Sequence, residues 1–323
     1  MFTLDQALSD VQKVITEEVD ALAKYRPAGL FEPVRYTLDL GGKRLRPLLV
    51  WLTYKAYKPD GRLKSAAPLM RAVELFHNFS LIHDDLMDDA PIRRGKPTVY
   101  KEWGANQAIL SGDAMLIEAY ANLGVAPEGD LKAFLSVFNT MATGVCVGQQ
   151  MDMEFEEEPL KEIGLSKYME MVNYKTGVLI KGAVMLGALL AGVQEKEELD
   201  ELHRAMTNFG TAFQIMDDYL DIYSDVVEFG KRHGGDILEK KRTFLLIDAF
   251  AKAPEEVEEI LALTDDDEKI ARMTNLYTKL GTDQEALRMV KMLTEDALSR
   301  LSSLSADTDL LRELIRSLLD RHS

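Results

Sequence analysis

Near the N-terminus, Leu4, Leu8, Val11, Ile15, Val19 and Leu22 recur every three or four positions, the spacing that lines an apolar stripe along one side of an α-helix. The same period returns at Leu287, Val290, Ala297 and Leu301. Between these ends the period-two alternation of a half-buried strand is scarce. The interruptions are short, at "KYRPAGLFEPV", "APIRRGKPTV", "VAPEGD" and "EFGKRHGGD". The pattern predicts an all-α protein with brief loops. The longest apolar stretch, "GVLIKGAVMLGALLAGV" at 177–193, is broken by Lys181 and falls short of the roughly 20 residues that span a bilayer. It is expected as a buried helix, with no transmembrane segment. Acidic stretches such as "QEKEELDELH" and "DDDEK" read as solvated helix faces or turns. No composition break, repeat or low-complexity tract divides the chain, so a single domain over 1–323 is expected.

With 323 residues, 46% of them hydrophobic, the chain can bury a large core. Its net charge of −16 disfavours non-specific attraction to nucleic acid or anionic lipid. An anionic ligand would have to be met by a local basic cluster or by metal. The single cysteine, Cys146, excludes an intrachain disulfide, and the opening "MFTLDQALSD" lacks the basic-then-apolar pattern of a secretory signal. A reducing, cytoplasmic setting is expected.

Against this background one stretch stands out. "LIHDDLMDD" concentrates acids directly behind the apolar "ELFHNFSLI". Asp84, Asp85 and Asp88 form D-D-x-x-D, and on a helix positions i and i+4 share a face, with i+1 beside them. An exposed helix end would be the plain explanation for one such group. The apolar run before it argues otherwise, because unpaired charge beside a core costs several kcal/mol. The arrangement also repeats: Asp217, Asp218 and Asp221 in "FQIMDDYLDIYSD" form a second D-D-x-x-D behind a second apolar run. Two such clusters could face each other across a helical bundle. All-oxygen ligands suit Mg²⁺, which keeps several waters and shares its coordination with substrate phosphates. A diphosphate held by both clusters through Mg²⁺ is the natural ligand.

Basic residues complete the pattern. "GGKRLRP" supplies Lys43, Arg44 and Arg46, and "PIRRGKP" supplies Arg93, Arg94 and Lys96 just after the first acidic cluster. Arginine forks match phosphate oxygens and lysine acts as a compact charge, so these loops could hold a second diphosphate without metal.

These motifs, in this order, resemble those of the trans-isoprenyl diphosphate synthases, the family of farnesyl and geranylgeranyl diphosphate synthases. The resemblance covers nearly the whole chain. It implies a bundle of mostly antiparallel helices around a deep central cavity, usually paired as a homodimer. It further implies that several Mg²⁺ ions hold an allylic diphosphate, with Asp84, Asp88 and Asp217 as the foremost ligands. Asp85, Asp218 and Asp221 would be further metal-site or supporting groups, and Asp152 in "GQQMD" would face metal-bound water. Isopentenyl diphosphate would be held by Lys43, Arg46, His77 and Arg94, with Gly42 permitting close approach, while Arg93 would reach the allylic diphosphate. Lys175 and Thr176 in "NYKTG", Gln214, Lys231 and Lys241 would surround the leaving diphosphate. The implied chemistry is departure of that diphosphate, attack by the double bond of isopentenyl diphosphate on the allylic carbon, and loss of a proton.

Product length in this family depends on bulky side chains beneath the first aspartate motif. Phe79 lies about 7.5 Å and Phe76 about 12 Å below Asp84 along an ideal helix, and they share a face, while Ser80 above them is small. The first motif also lacks the two-residue insertion of many bacterial farnesyl synthases. A C20 product, geranylgeranyl diphosphate, is therefore expected ahead of C15 farnesyl diphosphate. A terpene cyclase is disfavoured by the intact "DDYLD", and a non-catalytic subunit by the completeness of both acidic clusters. A histidine-aspartate phosphohydrolase, suggested by "HDD" at 83–85, lacks the further histidines that chemistry needs.

Overall fold

The first predicted helix forms as α1 (Leu4–Leu22), opened by a capping box. The Thr3 hydroxyl accepts from the Gln6 amide, and the Gln6 side chain accepts from the Thr3 amide. Its inner face is Ala7, Val11, Val14, Ile15, Glu18, Val19 and Leu22. Leu8 points outward, contrary to the sequence reading. The same displacement occurs in the helix Thr282–Ser302, where Ala286 is buried and Leu287 exposed. In both cases an alanine next to the leucine takes the inner position.

The computed structural model describes residues 2–224 and 234–319. Among these the chain is helical apart from one short hairpin, so the all-α expectation holds. It divides into two compact units, each assembled from three stretches of chain. One comprises Met1–Ala142, Leu179–His203 and Ser302–Leu314, the other Thr143–Val178, Arg204–Leu301 and Ile315–Ser323.

In the first unit, α2 (Ala28–Asp39), α3 (Leu45–Tyr57) and α4 (Leu63–Met87) precede a two-rung hairpin, β1 (Ile92–Arg93) and β2 (Lys96–Pro97). Arg94 and Gly95 form its turn, both with positive φ, the requirement of the turn that matches strand twist. Then come α5 (Val99–Trp103) and α6 (Ala105–Gly124). The long α4 packs mainly against α6 and α3. The apolar stretch at 177–193 becomes α9 (Val178–Ala191), buried on most sides. Two glycines make that fit possible, for a β-carbon on Gly182 would crowd Met141 and one on Gly187 would press on the Val50 carbonyl.

The second unit contains the later part of α7 (Leu131–Glu157), α8 (Leu165–Val172), and most of α10 (Lys196–Tyr223). Short helices Gly235–Leu238 and Phe244–Lys252 follow, then Pro254–Leu261, Asp266–Leu280 and Thr282–Ser302. Between α8 and α9 the residues Asn173–Gly177 make one π-helical turn, a local widening that often marks a functional position.

Candidate active site

The first acidic motif ends α4. Asp84 and Asp85 lie in its last turn, and Asp88 is the capping residue, its amide donating to the Asp84 carbonyl at 2.8 Å. No basic residue occupies that last turn. Three carboxylates therefore sit at the negative end of a helix dipole, where anions are disfavoured. Asp85 is relieved by a strong partner on a neighbouring element. It is 4% exposed, and the Arg93 guanidinium reaches it from the hairpin, Nε at 2.9 Å from both carboxylate oxygens and Nη2 at 2.6 Å from Oδ1. Burial raises the Asp85 pKa, and Arg93 opposes that rise. Asp84 is half-buried and Asp88 exposed.

The second motif occupies the end of α10, again with no basic residue in the last turn. Asp217 is exposed, but Asp218 is 4% exposed and fully engaged. It accepts from the Tyr168 hydroxyl at 2.6 Å, the Gln214 amide at 3.0 Å and the Phe244 backbone amide at 3.0 Å. Burial pushes its pKa up to about 6, against the pull of these donors. Asp221 accepts from the Asp236 amide at 3.1 Å, fixing the start of the helix Gly235–Leu238. Gln214 also accepts from Thr176 at 2.9 Å. A continuous chain of hydrogen bonds thus joins Thr176 in the π turn, Gln214, Asp218, Tyr168 and the amide of Phe244.

Lys175, beside Thr176, pairs with Asp152 on α7 at 2.5 Å. The π turn and α7 touch closely there, since a β-carbon on Gly148 would overlap the Lys175 backbone. Lys241 pairs with Glu239 at 2.8 Å and lies 3.8 Å from Asp236. Its neighbour Arg242 donates to the Phe155 and Glu158 carbonyls at the end of α7, at 3.1 and 3.3 Å. Lys231 lies outside the described residues.

The basic loops come together in the first unit. Gly41 and Gly42 both have positive φ. The Arg94 guanidinium lies against Gly42, where a β-carbon would come within 2.7 Å of it, and donates to the Gly41 carbonyl. His77 on α4 is held neutral, its pKa well below the usual imidazole range, by burial and then by Arg46, Arg94, Arg93 and Arg44. Lys43 is exposed and Arg46 half-buried. Four guanidiniums thus bear on one uncharged imidazole, a gathering of donors of the kind that can hold an anion without metal. Two of these arginines are already paired: Arg93 is engaged with Asp85, and Arg44 is buried against Glu74 at 2.6 Å.

Beneath the first motif, Phe79 is half-buried and its ring stands 5.5 Å from that of Phe76. Phe76 is 1% exposed and backed by Phe138 at 5.4 Å. His83 packs edge-on to Phe79 at 4.8 Å and lies 3.3 Å from the Ile109 carbonyl, seated on Gly112 of α6. It serves α4–α6 packing rather than a "HDD" metal centre.

Sequence reasoning missed Tyr168, Glu74, Gly148 and Arg242. Tyr168 and Gly148 are single residues in apolar or small-residue stretches, and only the fold reveals their partners. Arg242 carried a signal, as the third base in "KKR".

Among the described residues no three acidic, histidine or cysteine side chains enclose an ion by themselves. The exposed acids at each helix end still fit Mg²⁺. They are all-oxygen donors at a negative dipole end, and Mg²⁺ commonly takes one or two carboxylates plus water and substrate phosphate.

The polyprenyl synthetase family model matches residues 27–280. The chain is 38% identical over 257 residues to the geranylgeranyl diphosphate synthase of Methanosarcina mazei, covering 78% of this chain and 77% of that one. A crystal structure of geranylgeranyl pyrophosphate synthase superposes with a TM-score of 0.91 at 37% identity, covering 100% of both chains. The geranylgeranyl pyrophosphate synthase of Corynebacterium glutamicum, solved with isoprenyl diphosphate and magnesium, superposes with a TM-score of 0.86 at 27% identity, over 99% of each chain.

Proposed function

Because the chain belongs to the polyprenyl synthetase family, we propose that it condenses isopentenyl diphosphate head-to-tail with an allylic diphosphate. The principal product is (E)-geranylgeranyl diphosphate, and the whole chain, 1–323, acts as one catalytic domain. The reading is supported by the presence in one chain of two acidic helix ends and a separate cluster of basic side chains, a division of labour suited to two diphosphates with different fates.

Asp84, Asp88 and Asp217 would hold Mg²⁺ on the allylic diphosphate, with Asp152 near its water. When bound, Mg²⁺ supplies positive charge to the departing diphosphate. Lys175, Thr176, Gln214, Lys231 and Lys241 orient that group and neutralise it as the carbon–oxygen bond lengthens. The buried chain through Gln214 and Asp218 keeps Thr176 and the second motif in a fixed relation, so positioning costs nothing at the moment of reaction. Asp85 supports the first motif through Arg93, and Asp221 supports the second.

Lys43, Arg46, His77 and Arg94 hold isopentenyl diphosphate by its head, with Gly42 giving room for close approach, leaving its double bond free to attack. A neutral His77 can donate one hydrogen bond without adding charge to a crowded pocket. The proton lost from the adduct leaves with the released diphosphate, and no protein nucleophile takes part.

The C20 length is supported by the relatives named geranylgeranyl synthases and by an aromatic floor at Phe79 with Phe76 beneath it. A homodimer is supported by the outward apolar residues Ile109, Leu110 and Ile117 of α6, the last 67% exposed.

Incubation with isopentenyl diphosphate and each allylic primer, with and without Mg²⁺, tests the reading. Mg²⁺-dependent C20 product is expected, and Phe79→Ala should lengthen it by at least one isoprene unit. Hydrolysis of the allylic diphosphate without condensation would reject the assignment. An unchanged product from Phe79→Ala would reject Phe79 as the floor.

A further inference from the structure

We propose that Arg44 is the positioning residue of the basic pocket: it binds no diphosphate but, through Glu74, fixes the placement of Lys43, Arg46 and His77. This rests on reading that pocket as the isopentenyl diphosphate site.

Arg44 sits in the middle of the basic loop with φ 46° and ψ 37°, a left-handed conformation at the start of α3. That conformation turns its side chain inward while Lys43 stays exposed. Nη1 pairs with Glu74 Oε1 at 2.6 Å, the two side chains being 6% and 2% exposed. Nη2 donates to the Leu38 carbonyl, in the last turn of α2. Asn78 donates to the same Glu74 oxygen at 3.1 Å and to the Glu74 backbone carbonyl at 2.8 Å. One guanidinium thereby joins the end of α2, the start of α3 and the turn of α4 that precedes His77. These are the elements that carry Lys43, Arg46 and His77.

Charge gives a second argument. Arg46, Arg94, Arg93 and Arg44 all act on His77, and cations gathered around one neutral ring repel one another. Two buried anions lie beside them, Asp85 taken by Arg93 and Glu74 by Arg44. Were Arg44 to turn toward a ligand, it would leave Glu74 charged, buried and uncompensated, which is strongly unfavourable. Nor is the pair well suited to stability alone, since Glu74 Oε2, Asn78 Oδ1 and Arg44 Nε are buried without a hydrogen-bond partner. Buried ion pairs are often matched by apolar residues of similar volume. What this one supplies that apolar residues would not is a directed link among three helices.

The test compares Arg44→Met, Glu74→Gln and the double variant Arg44→Met/Glu74→Leu. Three quantities are read: thermal midpoint, steady-state kinetics, and calorimetric binding of inorganic pyrophosphate in EDTA, where only the metal-free pocket binds. Each single variant should weaken pyrophosphate binding and raise KM for isopentenyl diphosphate by about tenfold or more, with kcat and the allylic KM within about threefold of wild type. The double variant should regain most of the thermal midpoint lost by the singles and none of the affinity.

Two results would overturn the proposal. If Glu74→Gln leaves pyrophosphate affinity unchanged while Arg44→Met lowers it, Arg44 is a ligand. If the double variant recovers affinity along with the midpoint, or if only the midpoint moves, the pair is structural. Should the wild-type protein fail to condense prenyl diphosphates, the proposed function falls, yet pyrophosphate binding still decides the role of Arg44.

Discussion

Asp85 and Asp218 occupy the same place in two copies of one motif, and both are buried to 4% exposure. They are satisfied in opposite ways. Asp85 meets a cation, Arg93, so the pair is locally neutral. Among the described residues Asp218 meets neutral donors, Tyr168, Gln214 and the Phe244 amide, so no cation neutralises it there. The first arrangement ties an acidic helix end to a hairpin that also carries Arg94. The second ties an acidic helix end to the π turn and to the loop carrying Lys241. In each motif the middle aspartate is anchored by its surroundings, while Asp88 and Asp217 remain exposed. A repeated D-D-x-x-D is therefore not six equivalent carboxylates: each copy holds one buried, anchored acid among more exposed ones, and the anchoring chemistry differs between copies.

The largest expected effect separates exposed acids from anchored ones. Asp88→Asn and Asp217→Asn should each lower kcat by about a hundredfold or more while leaving thermal stability nearly unchanged. Steady-state rates at saturating substrates and a thermal melt check this. Equal losses of stability would merge the two roles.

Next in size is the contrast between the anchors. Asp85→Asn leaves the Arg93 charge without its carboxylate and should cost about 2–4 kcal/mol. Asp218→Asn should cost only about 1 kcal/mol. Its amide oxygen can still accept from Tyr168 and Phe244, and a flip of Gln214 restores the remaining bond. Urea unfolding in EDTA measures both, and Asp85→Asn/Arg93→Met should regain most of the larger loss.

The smallest effect concerns pH in metal-free protein. The folded-state pKa of Asp218 is raised from 3.8 to about 6, so below that point the folded state takes up the proton first. As pH falls from 6 toward 3.8, this group raises stability. His77 does the reverse. Its folded-state pKa lies well below 6.5, so the unfolded state takes up the proton first and stability falls as pH drops below 6.5. Unfolding midpoints between about pH 7 and 4.5 should therefore shift in opposite senses for Asp218→Asn and His77→Gln. Shifts of the same sign would contradict these two environments.

The helical architecture was legible because long stretches keep a 3.6-residue period and "GVLIKGAVMLGALLAGV" has no polar face to expose. Acids and bases were legible by type and spacing. Their division into foremost and supporting acids came from the family resemblance, not from the residues themselves. Nothing local distinguishes Asp84 from Asp85 or Lys43 from Arg44, because the difference lies in which neighbour arrives from a distant element, Arg93 for one and Glu74 for the other. Leu8 and Leu287 fit the helical period as well as their buried neighbours Ala7 and Ala286, and only the fold distinguishes them. The π turn was invisible for a similar reason. "NYKTG" has no unusual propensity, and its widening accompanies the close approach of Gly148.

Joint action of the two acidic motifs on one pyrophosphate head is tested most directly by calorimetric binding of an unreactive thiolo analogue of an allylic diphosphate. Wild type, Asp88→Asn, Asp217→Asn and the double variant are compared with and without Mg²⁺. Joint binding predicts that either substitution abolishes the Mg²⁺-dependent part of the affinity and that the double variant loses no more than a single one. Losses that add independently, or affinity indifferent to Mg²⁺, would contradict it.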